Sequence, residues 1–277
     1  MIDTHCHLTF RDFAHDVPGV LDRARAAGVL GAITISTTTH DCLDAMAVAD
    51  GYAEVWCTSG IHPLHADPAR DGAAHEWANL RRVARHPKCV AWGELGLDNH
   101  YDEPAKDIQR SVLAEQLAHI ESWTAEGLSK PIVIHCRKAV DDLLPILRQS
   151  TLPADRYVFH CFTESPEDAK KVLDFGAHLS FTGVVTYKNA KEVAEAAKLV
   201  PADRIMVETD APFLSPEPVR GTRPCEPAFA AHTARCLAKI RGVDPARFEA
   251  QIDANTARFF GIEIPAGAGF SAVGAGA

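Results

Sequence analysis

The sequence lacks the features that mark a small secreted module, a membrane protein or a broad nucleic-acid-binding face. Its eight cysteines, at 6, 42, 57, 89, 136, 161, 225 and 236, include no CxxC pair and no framework spacing. That excludes a disulfide scaffold and points to a reducing, cytoplasmic setting. No apolar run approaches the roughly 18 residues of a membrane span, and the opening MIDTHCHLTF has no basic stretch of the signal-peptide kind. Aromatic residues are only 7% of the chain, and 28 Lys+Arg against 37 Asp+Glu leave a net charge of −9. A continuous basic surface gripping phosphate backbones is therefore excluded, although nucleic acid held locally as a substrate is not. No GxGxxG or GxxxxGK[ST] follows the first apolar run, which argues against a doubly wound nucleotide-binding sheet. Nothing in the pattern calls for an obligate protein partner.

What is present is ordinary globular content, 277 residues of which 47% are hydrophobic and 23% charged, enough for a substantial core. Short β-branched runs alternate with longer amphipathic stretches. Eight such runs are read as strands: Ile2 to His7, Ala32 to Ser36, Glu54 to Ile61, Cys89 to Leu95, Pro131 to Cys136, Tyr157 to Phe162, Ala177 to Phe181 and Ile205 to Asp210. Apolar recurrence at three and four residues, as in Ile108-Val112-Leu113-Leu117-Ile120, marks the helices between them, and Gly28, Gly127 and Gly176 stand where helices stop. Eight βα units in roughly 250 residues predict an α/β fold, a single (β/α)8 TIM barrel. The barrel is expected over 1–262, with a low-complexity, disordered Ala/Gly-rich tail over 263–277.

The composition is also rich in histidine, 14 in all, and position gives that count its meaning. His5 and His7 form an HxH on the first run, where a period of two puts both imidazoles on one face. His62 follows the third run, His135 closes the fifth and His160 the sixth; Glu94 ends the fourth and Asp210 the eighth. All fall at the carboxyl ends of strands, the catalytic face of such a barrel. His5, His7, Glu94, His135, His160 and Asp210 thus converge on one mouth. Imidazoles with two carboxylates suit a two-cation hydrolytic site in which a carboxylate bridges ions roughly 3.5–4 Å apart. Cys6, Cys136 and Cys161, each one residue from a candidate ligand, are expected to turn the other way and pack under the helices. The same parity points Asp3 and Glu208 into the barrel, where Asp3 either receives a hydrogen bond from a ligand imidazole or serves barrel packing. The other nine histidines, among them His65 and His178, are expected in solvent.

Seven segments, Asp3-Thr4-His5-Cys6-His7-Leu8, Gly60-Ile61-His62-Pro63, Gly93-Glu94-Leu95-Gly96-Leu97-Asp98, Ile134-His135-Cys136-Arg137, His160-Cys161-Phe162-Thr163, Phe181-Thr182-Gly183 and Glu208-Thr209-Asp210-Ala211-Pro212-Phe213-Leu214, carry a resemblance. In that order they resemble the TatD-type metal-dependent deoxyribonucleases among the amidohydrolase-like barrels. The resemblance implies that His5 and His7 hold one divalent ion and His135 and His160 a second, with Glu94 between them and Asp210 at the first ion and the attacking water. It implies two divalent ions, Mg, Mn or Zn, and exonuclease-type hydrolysis of DNA, single-stranded or at 3′ ends, with Asp210 and Glu94 as catalytic residues. One departure is Cys225-Glu226-Pro227, where the family often has Asn-Glu-Pro; Glu226 matches and the amide does not.

A phosphodiester substrate calls for cations at the mouth, and Arg137, Lys138, Lys188, Arg220 and Arg223 lie just past strand ends. His62, Arg137, Arg220 and Glu226 are the candidate substrate contacts. Tyr101, Phe162, Phe181, Tyr187 and Phe213 are the few aromatics available to stack on bases. The alternatives are a barrel of the same superfamily acting on a small amide, lactone or phosphoester, and a metal-stabilised barrel that binds without catalysis.

Overall fold

Eight short parallel strands form one sheet in the computed structural model, which describes residues 1–265. They are β1 (Ile2–Cys6), β2 (Gly31–Thr34), β3 (Val55–Ser59), β4 (Cys89–Asp98), β5 (Ile132–Arg137), β6 (Tyr157–Phe159), β7 (His178–Phe181) and β8 (Ile205–Val207), each paired with the next in sequence. Around them run α1 (Val17–Ala26), α2 (Asp41–Gly51), α3 (Pro68–Asp71), α4 (Trp77–Ala84), α5 (Lys106–Ala125), α6 (Val140–Leu147), α7 (Pro166–Phe175), α8 (Lys191–Leu199), α9 (Ala230–Arg241) and α10 (Pro245–Phe260). The sheet is a nearly closed barrel, as the eight runs predict. All but the first three residues of the expected tail over 263–277 lie outside the described residues.

Local signals set the elements. In α7 the Ser165 hydroxyl accepts the Asp168 N–H at 3.1 Å, Pro166 opens the first turn, and Gly176 closes the helix at φ 112°. Along α5, Val112, Leu113, Leu117, Ile120 and Trp123 form one buried stripe, and Trp123 stacks on Trp92 of β4 with ring centroids 5.2 Å apart. Truncating such a buried indole typically costs about 3–5 kcal/mol. A second apolar group, including Ile33, Ile35, Val133, Val158 and Met206, fills the barrel and meets Phe259 and Phe260 of α10. Val133 shares strand parity with His135, and Val158 with His160, so the apolar floor and the polar mouth are successive layers of one inner face.

Strand lengths depart from the hydrophobic runs where the site begins. β6 ends at Phe159 and β8 at Val207, so His160 and Asp210 sit on chain that has already left the sheet. β4 instead runs on to Asp98, three residues beyond the expected end. Gly96 permits this: at φ 152° it faces β5 so closely that a Cβ would come within 1.9 Å of the His135 carbonyl oxygen.

Candidate metal centre

The seam that closes the barrel assembles the first half of the centre. β1 meets the chain that follows β8 at an isolated bridge between Cys6 and Ala211; His7 N–H donates to Ala211 O at 2.8 Å and Asp210 N–H to His5 O at 2.9 Å. Asp210 holds a left-handed backbone, φ 61°, which Asp tolerates better than most residues. Its Oδ1 lies 3.4 Å from His7 Nε2 and 3.7 Å from His5 Nε2. His5, His7 and Asp210 therefore form one cluster able to hold a cation.

Glu94, buried on β4, divides its carboxylate between two sets of imidazoles. Oε1 is 3.6 Å from both His5 Nε2 and His7 Nε2. Oε2 is 2.8 Å from His160 Nε2, 3.3 Å from His135 Nδ1 and 3.8 Å from His62 Nε2. His62, Glu94 and His135 make a second cluster, and His5, His160 and Glu208 a third. His160 belongs to both sides, because its ring also stacks on His5 at 3.8 Å between centroids. A carboxylate with one oxygen toward each histidine set is the arrangement a bridging ligand requires.

The electrostatics follow from this crowding. Burial opposes a charge on Glu94, but the imidazoles of His62, His160 and His5 hold it well below the ordinary carboxylate range. Burial likewise opposes charge on Asp210 and is outweighed by its contacts with His7 and His5, so its pKa is lowered. The His5 pKa is lowered as well, first by burial and then by His160, so this imidazole stays neutral and one ring nitrogen keeps a lone pair free to donate. Both ring nitrogens of His5 are buried without a hydrogen-bond partner. A buried unsatisfied polar group costs about 1–3 kcal/mol, and divalent-cation ligation is a use for such a nitrogen that hydrogen bonding within this protein does not supply. The residues thus fit a metal.

The centre opens into a cavity of about 680 Å³ that is lined by His7, His62, Glu94, His135, His160 and Asp210 and by apolar side chains at its rim. A family profile described as TatD related DNase matches residues 2–261. The chain belongs to that family. Among curated relatives, the uncharacterized metal-dependent hydrolase YabD of Bacillus subtilis is 36% identical over 241 residues, covering 87% of this chain and 91% of its own. The 3'-5' ssDNA/RNA exonuclease TatD of Klebsiella pneumoniae is 35% identical over 268 residues, covering 95% and 99%. Among solved structures, the TatD homologue YJJV from Escherichia coli superposes with a TM-score of 0.85 at 28% identity, covering 95% of this chain and 98% of that one.

Within this TatD family barrel the other predicted residues divide. His62 lies deeper than a strand-end position suggested, its Nε2 3.1 Å from His135 Nδ1. Arg137 lines the cavity. Arg220 and Glu226 do not: the Arg220 guanidinium lies over the Tyr187 ring at 3.9 Å, and both Glu226 oxygens take hydrogen bonds from Arg23 at 2.7 and 3.0 Å. Cys225 is fully buried beside that ion pair, its N–H donating to Pro212 O at 2.9 Å. Phe162 and Phe181 are core residues not free to stack on a base, and Tyr187 has one ring face under Arg220 and donates its hydroxyl to Ser215 O.

Parity failed where strands are irregular or already over. Cys6 and Cys136 pack in the core as expected, Cys136 also touching the cavity wall, but Cys161 lines the cavity and is partly exposed at φ 45° just after β6. The register of β1 on β2 shifts between Asp3 and Cys6. Of the two roles open to Asp3 the structure shows packing: it takes the Thr209 N–H at 2.9 Å and hydroxyl at 2.5 Å rather than a ligand imidazole. Glu208 stands beside the ligands instead, 3.5 Å from His160 Nδ1, and accepts from Cys161 N–H and the Ser180 hydroxyl. His65 lines the mouth and His178 is buried on β7, so neither is a simple surface histidine.

One residue that the motif reading passed over is Asp98. Its Oδ2 lies 3.1 Å from His135 Nε2, and its Oδ1 accepts the His100 N–H at 2.8 Å and the Tyr101 N–H at 3.3 Å. The signal was available: Asp98 has the same parity as Glu94 in an uninterrupted run.

Proposed function

We propose that this chain is a metal-dependent exonuclease that hydrolyses single-stranded DNA from a 3′ end. The observation that carries the reading is the split Glu94 carboxylate, one oxygen toward His5 and His7 and the other toward His135 and His160, at the floor of an open cavity. His5, His7 and Asp210 would hold one divalent cation, and His135, His160 and Glu94 a second, with Glu94 shared and His62 beside it. Bound there, such cations supply Lewis acidity that lowers the pKa of water and offsets charge on the phosphoryl oxygens. Asp210, held anionic by His7 and His5, accepts the proton of the attacking water as the water oxygen bonds to phosphorus. The P–O bond to the neighbouring sugar breaks, and the leaving oxygen takes up a proton. Arg137 at the rim positions the phosphate chain, which the net charge of −9 would otherwise repel.

The names of the relatives support the same substrate class. Residues 1–262 would act as one catalytic unit. The eight cysteines are unpaired, which favours a reducing compartment such as the cytoplasm, and no helix among the described residues is long and apolar enough to cross a membrane. The test is digestion of end-labelled single-stranded and duplex DNA by metal-reconstituted protein beside Asp210→Asn and His135→Ala. Stepwise loss of nucleotides from the single strand by the parent, and near-complete loss of cleavage in both variants, is the expected result. A parent inert on DNA that still cleaves a small ester would overturn the reading.

A further inference from the structure

Large apolar side chains that stay exposed in a folded protein are informative when they gather at a site. Three stand out among the described residues, and two of them, Tyr101 at 47% and Phe213 at 45% exposure, line the mouth of the cavity over the candidate metal centre. Each is backed by a partner that fixes one side and leaves another to solvent. The Arg137 guanidinium lies 5.3 Å from the centre of the Tyr101 ring. Phe213 meets Phe10 edge to face, with centroids 6.1 Å apart, and Phe10 stacks on the candidate ligand His7 at 4.5 Å.

Barrel order places these pairs relative to one another. Tyr101 follows β4 and Arg137 ends β5; Phe10 follows β1 and Phe213 follows β8. β4 and β8 are four strands apart in an eight-stranded barrel, hence on opposite sides of the mouth. Between them lie Glu94 and Asp210. Stacking surfaces on either side of a hydrolytic centre match a ligand with two planar groups joined through the bond to be cut.

We infer that the mouth clamps two adjacent nucleotides of a single strand, one base on the Phe10–Phe213 pair and the other on Tyr101 backed by Arg137, so that the phosphodiester between them lies over Glu94 and Asp210. This rests on the nuclease reading and names the contacts that would make it selective. Bases within a duplex have both faces covered by their neighbours, so only an unstacked strand can use both platforms. The stacking is indifferent to base identity, because each base offers a π-face, and Arg137 can serve Tyr101 and a flanking phosphate together.

The experiment compares the parent with Tyr101→Ala, Phe213→Ala and the conservative Tyr101→Phe. The probes are a short single-stranded oligodeoxynucleotide carrying 2-aminopurine at the last or the penultimate position, and the same strand with an abasic residue there. Binding to metal-free protein is read from 2-aminopurine fluorescence, and cleavage is followed after metal addition. Expected is a fluorescence change in the parent that is lost at one position in Tyr101→Ala and at the other in Phe213→Ala. A fall of about ten-fold in kcat/KM should accompany it, carried mainly by KM, absent on the abasic strands and restored in Tyr101→Phe. Alanine variants that bind and cut like the parent, or lose as much on abasic strands, would overturn the clamp while leaving the nuclease reading intact. A parent that neither binds nor cuts the strand would overturn both.

Discussion

Replacing Asp98 by Asn should disable His135 without removing any atom of the centre. In the native arrangement Asp98 Oδ1 is occupied by the His100 and Tyr101 N–H groups, and Oδ2 receives the His135 Nε2 proton at 3.1 Å. That fixes the tautomer, leaving the Nδ1 lone pair toward Glu94 at 3.3 Å and toward the centre. An Asn side chain keeps one acceptor oxygen, which the two backbone donors claim, and so presents its NH2 to His135 Nε2. The imidazole must then accept there and carry its proton on Nδ1, the nitrogen needed for a cation. Burial raises the pKa of Asp98, but its His135 contact and the two backbone donors bring it from 3.8 to about 2. At about 1.4 kcal/mol per pH unit that is a ceiling of about 2.5 kcal/mol. A depressed carboxylate pKa stabilises the fold above the unfolded value and stops doing so as pH falls through the folded one, so this increment is lost between about pH 4 and 2. The larger effect is on the centre: losing an outer partner of a ligating histidine costs about 10–100-fold in metal affinity. Calorimetric titration of metal-stripped protein with Mn2+ or Zn2+ reads it directly. Asp98→Asn and Asp98→Ala that both bind metal and turn over substrate like the parent would refute the tautomer reasoning.

Two further expectations concern the scaffold. His178, buried against Phe259, has its pKa lowered to about 4 by burial and by Arg204 and Arg258. The unfolded chain therefore takes up the proton more readily, and stability is lost as pH falls from about 6.5 through 4, by up to ~3 kcal/mol. Denaturant midpoints measured across that window should slope less in His178→Leu than in the parent, and an unchanged slope would contradict the assignment. Gly96→Ala would drive a Cβ to 1.9 Å from the His135 carbonyl at a backbone φ of 152°, forcing β4 and β5 apart beneath two candidate ligands. A loss of about 2–5 kcal/mol with weakened metal binding is expected; a melting temperature equal to the parent's would show that the strands can give way.

Much of this was legible in the sequence, and the exceptions have physical causes. β-branched runs between amphipathic stretches located all eight strands, because burial on both faces of a parallel strand leaves a continuous apolar signature. Ligands at strand ends were legible for the same reason: a polar residue closing such a run has to face the mouth. Their rotation about the barrel was not. His62 and Asp98 meet His135 across strand boundaries, at distances fixed by barrel stagger and by the close approach that Gly96 allows. Alternation turned Asp3 into the barrel but left open whether it meets a ligand imidazole or serves packing, and the partner that decides it, Thr209, lies 206 residues away. Cys161 was misplaced because β6 ends two residues before it. Glu226 kept its place in the motif but is held by Arg23, a pairing across 203 residues that no local pattern reports.

The central claim is that Glu94 joins two histidine sets into one hydrolytic metal centre. The direct test is metal stoichiometry and affinity in Glu94→Gln, which has nearly the same shape, measured beside the parent by titrating stripped protein with Mn2+ while following cleavage of end-labelled single-stranded DNA. The parent should bind two ions per chain and gain activity as they load, and Glu94→Gln should lose both high-affinity ions and activity together. A Glu94→Gln protein that still binds two ions with the parent's affinity, or a stripped parent that digests DNA at full rate, would contradict the account.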